Sequence, residues 1–351
     1  MTTSKYIPRN TGRPTIAAIA KHAGVSTATV DRVLNNRRGV RIATAHHVKR
    51  VAFELGYLPE LEINSTPSSS LFKALFLLPT GMNRYLNMLS DHASTAHERL
   101  DRYNVHCRSK HVDGFNPEEL ASTLLKEGKN YDGIAFMALE HPIVREAVNQ
   151  LAEQGVSTVT IISDLSNSAR KAYVGLDNRA AGRTAGLLMG RFINNNSGKV
   201  AMIAGSRYYR GHEEREMGFQ HIMEEKFPSL DLVGLREGHD DAETNYKQTK
   251  DLLALYPDLA GIYSIGGAPE GIAKALKDCN RQNSTILIGH GLTPDTRSLL
   301  LDGSMDVLLN QNLHQTVVNT VRIFANLRDG LSTTSGIEPT QTNIIVSENL
   351  P

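Results

Sequence analysis

The sequence predicts a multidomain chain in which a small all-α head carrying a helix-turn-helix precedes a two-lobed α/β body with parallel sheets. Three observations predict it. Residues 1–60 hold ten Lys/Arg against three Asp/Glu, a balance of +7, while the whole chain is +1, so the remaining residues carry −6. A near-neutral total therefore hides a basic head on an acidic body. Residues 15–35, TIAAIAKHAGVSTATVDRVLN, show two short runs at helical spacing on either side of a glycine. From Phe72 onward, apolar runs of four to eight residues alternate with helical patterns, which implies parallel sheets covered on both faces.

Residues 1–14 are polar and unpatterned, with Lys5, Arg9 and Arg13, and read as a flexible basic tail. Arg13, between Gly12 and Pro14, has the form of a short minor-groove arm, and incidental charge is the competing reading. Thr15 then suits a helix N-cap, and Ile16, Ile19, Ala20 and Ala23 fall at i, i+3, i+4 and i+7. Gly24 takes the left-handed geometry of a sharp turn, and Ser26 caps a second helix. Val30, Val33 and Leu34 face the first helix. Thr27, Ala28, Asp31 and Arg32 point outward, with Thr29 and Asn35 beside them, on a face as wide as a major groove. The bland alternative is a helical hairpin that never touches DNA, and the basic surroundings argue against it. The loop at 36–40 carries Arg37, Arg38 and Gly39 and suits phosphate contact. A third helix is expected over 44–56, starting at Thr44 and burying Val48, Val51, Ala52 and Leu55.

The pattern AxxAGVSxxTVxRVLN, followed by a third helix ending in ELGYLP, resembles the LacI/GalR family of bacterial transcription regulators. The resemblance implies that Thr27, Ala28 and Arg32 reach base edges, with arginine able to pair bidentately with guanine O6 and N7. Thr27 and Ala28 are short, which limits them to a thymine methyl or a single hydrogen bond. Asp31 departs from the family's usual serine. Its carboxylate is repelled by phosphates unless it accepts from cytosine N4 or orients Arg32. Residues 60–71, ELEINSTPSSSL, stand where the family has a hinge helix that enters the minor groove. Glu60, Glu62, Thr66 and Pro67 depart from that pattern, so a plain linker is at least as good a reading and little operator bending is expected.

In the body, strands are expected at KALFLLP, YDGIAFMAL, VSTVTIIS, 173–176, KVAMIAG, 261–265, TILIGH and DVLLNQ. Helices are expected over 87–103, 142–154, 179–193 and 213–225. This length exceeds one small sheet, so two lobes are expected. The resemblance implies the fold of periplasmic sugar-binding proteins of type I, with crossovers near Val174, Gln311 and Ile337. It divides the body into a first lobe of 72–174 with 312–336 and a second of 175–311 with 337–351.

No G-x-S-x-G elbow, P-loop or G-x-G-x-x-G after a strand is present, and the 13 histidines are scattered, so no enzyme is expected. Cys107 and Cys279 stand apart from any metal-like spacing, and no metal or cofactor is expected. No 18-residue apolar run and no apolar leader are visible, which points to a soluble cytoplasmic protein.

Ligands of open α/β sheets lie beyond the carboxyl ends of the strands, which makes Asn83, Tyr85, Asp164 and Asp177 candidates. Of the adjacent Asp240 and Asp241, which a strand would point to opposite faces, Asp241 is placed in the cleft as an even choice. The resemblance adds Arg215, near the start of a helix, and Gln311. It also marks Gly266 and the stretch Gly289-His290-Gly291 as departures where relatives carry Asn or Asp. Glycine there suggests room for a larger or anionic ligand, with His290 the remaining polar side chain. The bland readings are an ion-paired Arg215, capping roles for Asp177 and Gln311, and a His290 tied into the local fold. The expected protein is a DNA-binding regulator, a repressor, acting as a homodimer on pseudo-palindromic operator DNA under a small-molecule effector such as a sugar or polyol. A transport receptor shares the two-lobed body and is disfavoured by the basic head and the missing leader.

Overall fold

The computed structural model describes residues 15–35, 37, 39–57, 70–81, 83–193 and 197–351. The tail expected at 1–14, Arg38, and residues 60–69 of the expected linker lie outside the described residues.

In the head, α1 (Ile16–Ala23) begins where Thr15 Oγ1 accepts from the Ala18 N–H at 3.2 Å. It stops at Gly24, whose φ of 64° only glycine adopts without strain. The chain reverses there, and Ser26 Oγ accepts from the Thr29 N–H at 3.1 Å to start α2 (Thr27–Leu34). The third helix, α3 (Ile42–Glu54), starts at Ile42 rather than at Thr44 and ends before Gly56. Ile19, Ala20, Ala23, Val30, Val33, Val48, Val51 and Ala52 bury one core among the three helices.

In the first lobe β1 (Phe72–Thr80), β2 (Val105–Asp113), β3 (Gly133–Phe136), β4 (Ser157–Ile161) and β5 (Ala172–Val174) form one sheet of order β2-β1-β3-β4-β5. Every neighbouring pair is parallel. The helices α4 (Arg84–Ser94), α5 (Pro117–Glu127) and α6 (Pro142–Glu153) connect its strands. In the second lobe β6 (Gly198–Ala204), β7 (Leu230–Glu237), β8 (Leu259–Ser264), β9 (Ile286–His290), β10 (Val307–Asn310) and β11 (Asn343–Ile345) form a sheet of order β11-β10-β9-β8-β6-β7. It is parallel except for β11, which runs against β10. Its helices are α7 (Asn178–Phe192), α8 (Arg210–Lys226), α9 (Ala242–Leu255), α10 (Pro269–Asp278) and α11 (Pro294–Leu301). The chain crosses between the sheets after β5, again between β10 and α12 (Leu313–Arg328), and a third time before β11. The helix α12 belongs to the first core, where Phe324 stacks on Phe72 at 5.3 Å.

The alternation of strands and helices is as expected, with two differences. The strands β2, β7 and β11 and the helices α5 and α9 to α12 are absent from the expected set; the three strands are edges, and VHCRSKHVD, LDLVGLRE and the short NII lack the continuous apolar run of a central strand. The single helix expected over 87–103 is broken. Thr95 turns its hydroxyl onto the Asp91 carbonyl at 3.1 Å, and short turns at Ala96–Arg99 and Asp101–Tyr103 follow before the left-handed Asn104.

The helices α7 and α8 approach with almost no side-chain spacer. A methyl group at Gly182 would lie 2.1 Å from the Arg215 carbonyl, and one at Gly218 would lie 2.1 Å from the Arg179 carbonyl. Backbone cannot yield as a side chain can, so this contact fixes the turn of α8 that carries Arg215. Gly182→Ala is expected to lower unfolding free energy by about 1–3 kcal/mol. Arg191→Ala, on the exposed side of the same helix, is expected to change it by less than about 0.5 kcal/mol. Urea titrations of both variants check this, and an unaltered Gly182→Ala protein would refute the close-packing account.

Candidate functional site

The head presents a short helix whose outward face is polar and exposed. Thr27, Ala28 and Arg32 are exposed, and Asp31 is half-buried. Thr15 and Ser26 spend their side-chain oxygens on helix caps, and the Thr29 hydroxyl lies 2.9 Å from Ser26 Oγ. These three therefore position the face more than they extend it. Thr44 is half-buried on α3. The Asp31 carboxylate accepts from Asn35 Nδ2 at 2.8 Å and from Arg37 Nη1 at 3.3 Å. The hydrogen-bond partners of the Asp31 carboxylate among the described residues thus follow the helix, and Arg32 is not one of them.

In the body, residues that follow β1, β3, β4, β5, β8, β9 and β10 converge on a cavity of about 60 Å3 between the sheets. Asn83, Tyr85, Arg215, Gly266, His290 and Gln311 all line it, joined by His212, Asp240, Gly267 and Gly291. Leu86, Met137, Ile162, Leu176, Ile265 and Leu309 supply an aliphatic lining.

Arg215 is 7% exposed and stands inside α8, not at its start. Its Nε donates to Asn178 Oδ1 at 2.8 Å and its Nη1 to the Ile265 carbonyl at 2.9 Å. Neither acceptor is charged, and Nη2 has no hydrogen bond among the described residues. The ion-pair reading is thus replaced by a buried guanidinium with a donor to spare.

The carboxylate of the cleft is Asp240, and Asp241 is a correction. The two acids lie in a turn, with His239 and Asp240 both at φ 52°, a left-handed geometry that Asp tolerates better than most residues. That turn aims Asp240 into the cleft. Its Oδ1 accepts from the Gly267 N–H at 2.6 Å, and its Oδ2 accepts from Asn83 Nδ2 of the other lobe at 2.8 Å. Asp241 instead caps α9, accepting from the Thr244 N–H at 2.7 Å and the Thr244 hydroxyl at 2.6 Å.

Two further acids are corrected likewise. Asp164 pairs with Arg170 and accepts from the Thr160 hydroxyl at 2.6 Å, which keeps it out of the cavity. Asp177 caps α7 through the Ala180 N–H at 2.9 Å and lines a neighbouring charged recess with Glu140, Arg179, Arg210, Glu213 and Glu214.

The glycines do not enlarge the site as expected. A methyl group at Gly266 would sit 2.5 Å from Asp240 Oδ1, and one at Gly291 would sit 2.9 Å from the Tyr85 ring. Space left by the missing side chains is filled by Asp240 and Tyr85. The carboxylate that the ends of β8 and β9 lack is supplied by the turn after β7.

Two histidines complete the lining. His212 keeps Nδ1 against Ser206, 3.1 Å from its carbonyl, and its pKa is lowered to about 4 by burial above all, with the positive charge of Arg215 adding in the same direction. The Asp240 carboxylate opposes that shift. His290 Nε2 lies 2.7 Å from the Tyr263 hydroxyl, and burial with Arg215 and His212 holds it well below the ordinary value. Both rings are neutral at pH 7 and can donate or accept. Tyr85 donates to the Gln311 carbonyl at 3.0 Å, while Gln311 Nε2 donates to the Thr316 hydroxyl at 2.9 Å. His212, in the first turn of α8, was not singled out in the sequence, and Asp240 was weighed evenly against Asp241 and passed over, the strand β7 before it being illegible. Among the described residues no group of three or more His, Cys, Asp or Glu could hold a metal ion. No helix there is long and apolar enough to cross a membrane.

Comparison with known proteins gives two family matches. Residues 118–332 match the periplasmic binding protein domain, and residues 15–60 match the bacterial regulatory proteins of the lacI family. The chain is 25% identical over 231 residues to the HTH-type transcriptional repressor PurR of Vibrio vulnificus (strain CMCP6), covering 66% of each. It is 25% identical over 212 residues to catabolite control protein A of Staphylococcus aureus (strain MRSA252), covering 60% of this chain and 61% of that protein. The matched stretch thus spans just under two thirds of the length of these relatives. Among solved structures, a glucose-galactose binding protein, GanP, from Geobacillus stearothermophilus is similar with a TM-score of 0.71 at 23% identity, over 81% of this chain and 100% of that one. A solute binding protein from Burkholderia graminis in complex with D-arabinose gives 0.72 at 20% identity, over 80% and 98%. At these identities the likeness shows the fold.

The neutral histidines carry a stability consequence. His212 protonates near 6.5 when unfolded and near 4 when folded, so between those values the unfolded chain binds the extra proton. Stability is therefore full above about pH 6.5 and falls as pH drops toward 4, by at most about 1.4 kcal/mol per pH unit for each such histidine. Denaturant titrations between pH 7 and 5 are expected to show this slope, and His212→Gln is expected to make it shallower. An unchanged slope in that variant would show that His212 is not its source.

Proposed function

Because the chain belongs to the lacI family of bacterial regulatory proteins and carries a periplasmic binding protein domain, we propose that it is a transcriptional repressor controlled by a small effector held between its lobes. The observation that carries this reading is the presence, in one chain, of an exposed helix-turn-helix face and a partly open cavity at the strand ends of two sheets, where Arg215, Asp240, His212 and His290 stand among aliphatic side chains. The head reads operator DNA through α2. A lone helix covers few base pairs, so a homodimer on a pseudo-palindromic operator is the working form, in the cytoplasm where the DNA lies. The body binds its ligand without turning it over.

The cavity favours a compact, polyhydroxylated, uncharged effector such as a sugar or polyol. Arg215 offers a donor, Asp240 an acceptor of opposite charge, and the two neutral histidines either role, which together match vicinal hydroxyls. Since Asn83 and Asp240 meet across the cleft, a ligand that replaces their bond acts on the angle between the lobes. Affinities for effector and operator are then linked reciprocally.

Two predictions follow from this arrangement. A thermal-shift screen of sugars and polyols should yield a ligand that stabilises by about 2.7 kcal/mol at 100 times its Kd and alters operator affinity. Arg215→Lys, which keeps the charge and loses the planar fork, should remove most of both effects. Lysine is preferable to alanine here because Arg215 also holds Asn178 and the Ile265 carbonyl, and its loss would weaken the fold. A lysine variant that binds the ligand within a factor of about two of the original would remove Arg215 from the site.

For the head, Arg32→Ala should cost about 1–3 kcal/mol per half-site and relax preference at one base pair. Anisotropy titrations on operator and random duplexes decide, since an equal loss on both would make Arg32 a phosphate contact.

A further inference from the structure

Asp31 is a carboxylate on the outward face of a helix that meets a polyanion, and repulsion alone would exclude it. Three bonds give it another role. Arg37 Nη1 reaches back to Asp31 Oδ2 at 3.3 Å, bringing a cation to the carboxylate. The Arg37 N–H bonds the Arg32 carbonyl at 2.8 Å, which keeps this residue close to the helix end so that its side chain can return. Asn35 Nδ2 donates both to Asp31 Oδ1 at 2.8 Å and to the Asp31 carbonyl at 3.0 Å.

An exposed ion pair of this kind contributes little to stability, so its effect is placement. Asn35 turns its amide donors inward and is left with Oδ1, an acceptor, as its outward group. Asp31 remains half-exposed, with 42% of its side chain open and lone pairs beyond the two in use. The last turn of α2 therefore offers acceptors, whereas Arg32 beside it offers donors. In the major groove an acceptor is answered only by cytosine N4 or adenine N6, and guanine O6 and N7 or thymine O4 oppose it.

We propose that Asp31 determines specificity at one operator position, selecting cytosine or adenine there, with Asn35 and Arg37 as positioning residues that hold and neutralise its carboxylate. The proposal rests on the reading of α2 as the helix that enters the groove.

The test is selection from a randomised duplex library with the full-length protein and its Asp31→Ser, Asp31→Asn and Arg37→Gln variants, followed by titration on the selected and random duplexes. The original protein should select a site in which the position altered by Asp31→Ser holds cytosine or adenine. Asp31→Ser should flatten that preference by about tenfold, leave the other positions intact and bind random duplex more tightly. Asp31→Asn should shift the same position toward adenine, whose N6 and N7 pair with an amide bidentately. Arg37→Gln should flatten that position too, where loss of a plain phosphate contact would weaken all sequences alike. Unchanged base preference in both Asp31 variants, or guanine or thymine at the altered position in the original protein, overturns the proposal. Failure of the original protein to select any sequence overturns the regulator reading itself, and so is told apart.

Discussion

Arg215 places a positive charge in the interior with neutral acceptors as its direct partners, and much of the body is arranged around that charge. Leaving a buried charge unpaired costs several kcal/mol, so each hydrogen bond to it matters more than one at the surface. Asn178 at the start of α7 and the carbonyl at the end of β8 hold the guanidinium plane, and the glycine contact between α7 and α8 fixes the backbone from which it projects. The same charge helps keep His212 and His290 neutral, while Asp240 acts on His212 with the opposite sign. The cleft therefore combines one fixed donor, one fixed acceptor and two rings able to play either part.

The head was legible in the sequence almost residue by residue, because its structure depends on local rules. Thr15, Gly24 and Ser26 each satisfy or redirect the few backbone groups beside them, and the apolar spacing names the core. The central strands were legible for the same reason, being continuously apolar. The edges β2, β7 and β11 were not, since they lack a continuous apolar run and their sequences resemble loops. In the cleft, Asn83 and Tyr85 follow from their place after a strand, and Arg215 and Gln311 from the family resemblance.

What the sequence hid was any choice made by long-range fit. Asp240 and Asp241 differ only in the sign of a backbone angle and in which neighbour each meets, and no periodicity reports either. Glycines at 266 and 291 looked like vacated space, yet a carboxylate and a tyrosine ring from elsewhere in the chain occupy it. The partners of Asp31 belong to the same class, because Arg37 lies beyond the helix and reaches back.

The bond between Asn83 and Asp240 shapes how the cleft would tell similar molecules apart. Asp240 already accepts from Asn83 and from the Gly267 amide, so a molecule entering between them exchanges existing bonds for new ones. A deoxy analogue that fits the same space disrupts the bridge and returns nothing at that point, leaving a buried carboxylate short of a donor. Sites of this kind reject the missing hydroxyl far more strongly than they reject an extra methylene. Discrimination in this protein would then rest less on the shape of the cavity than on the bond its own lobes must give up.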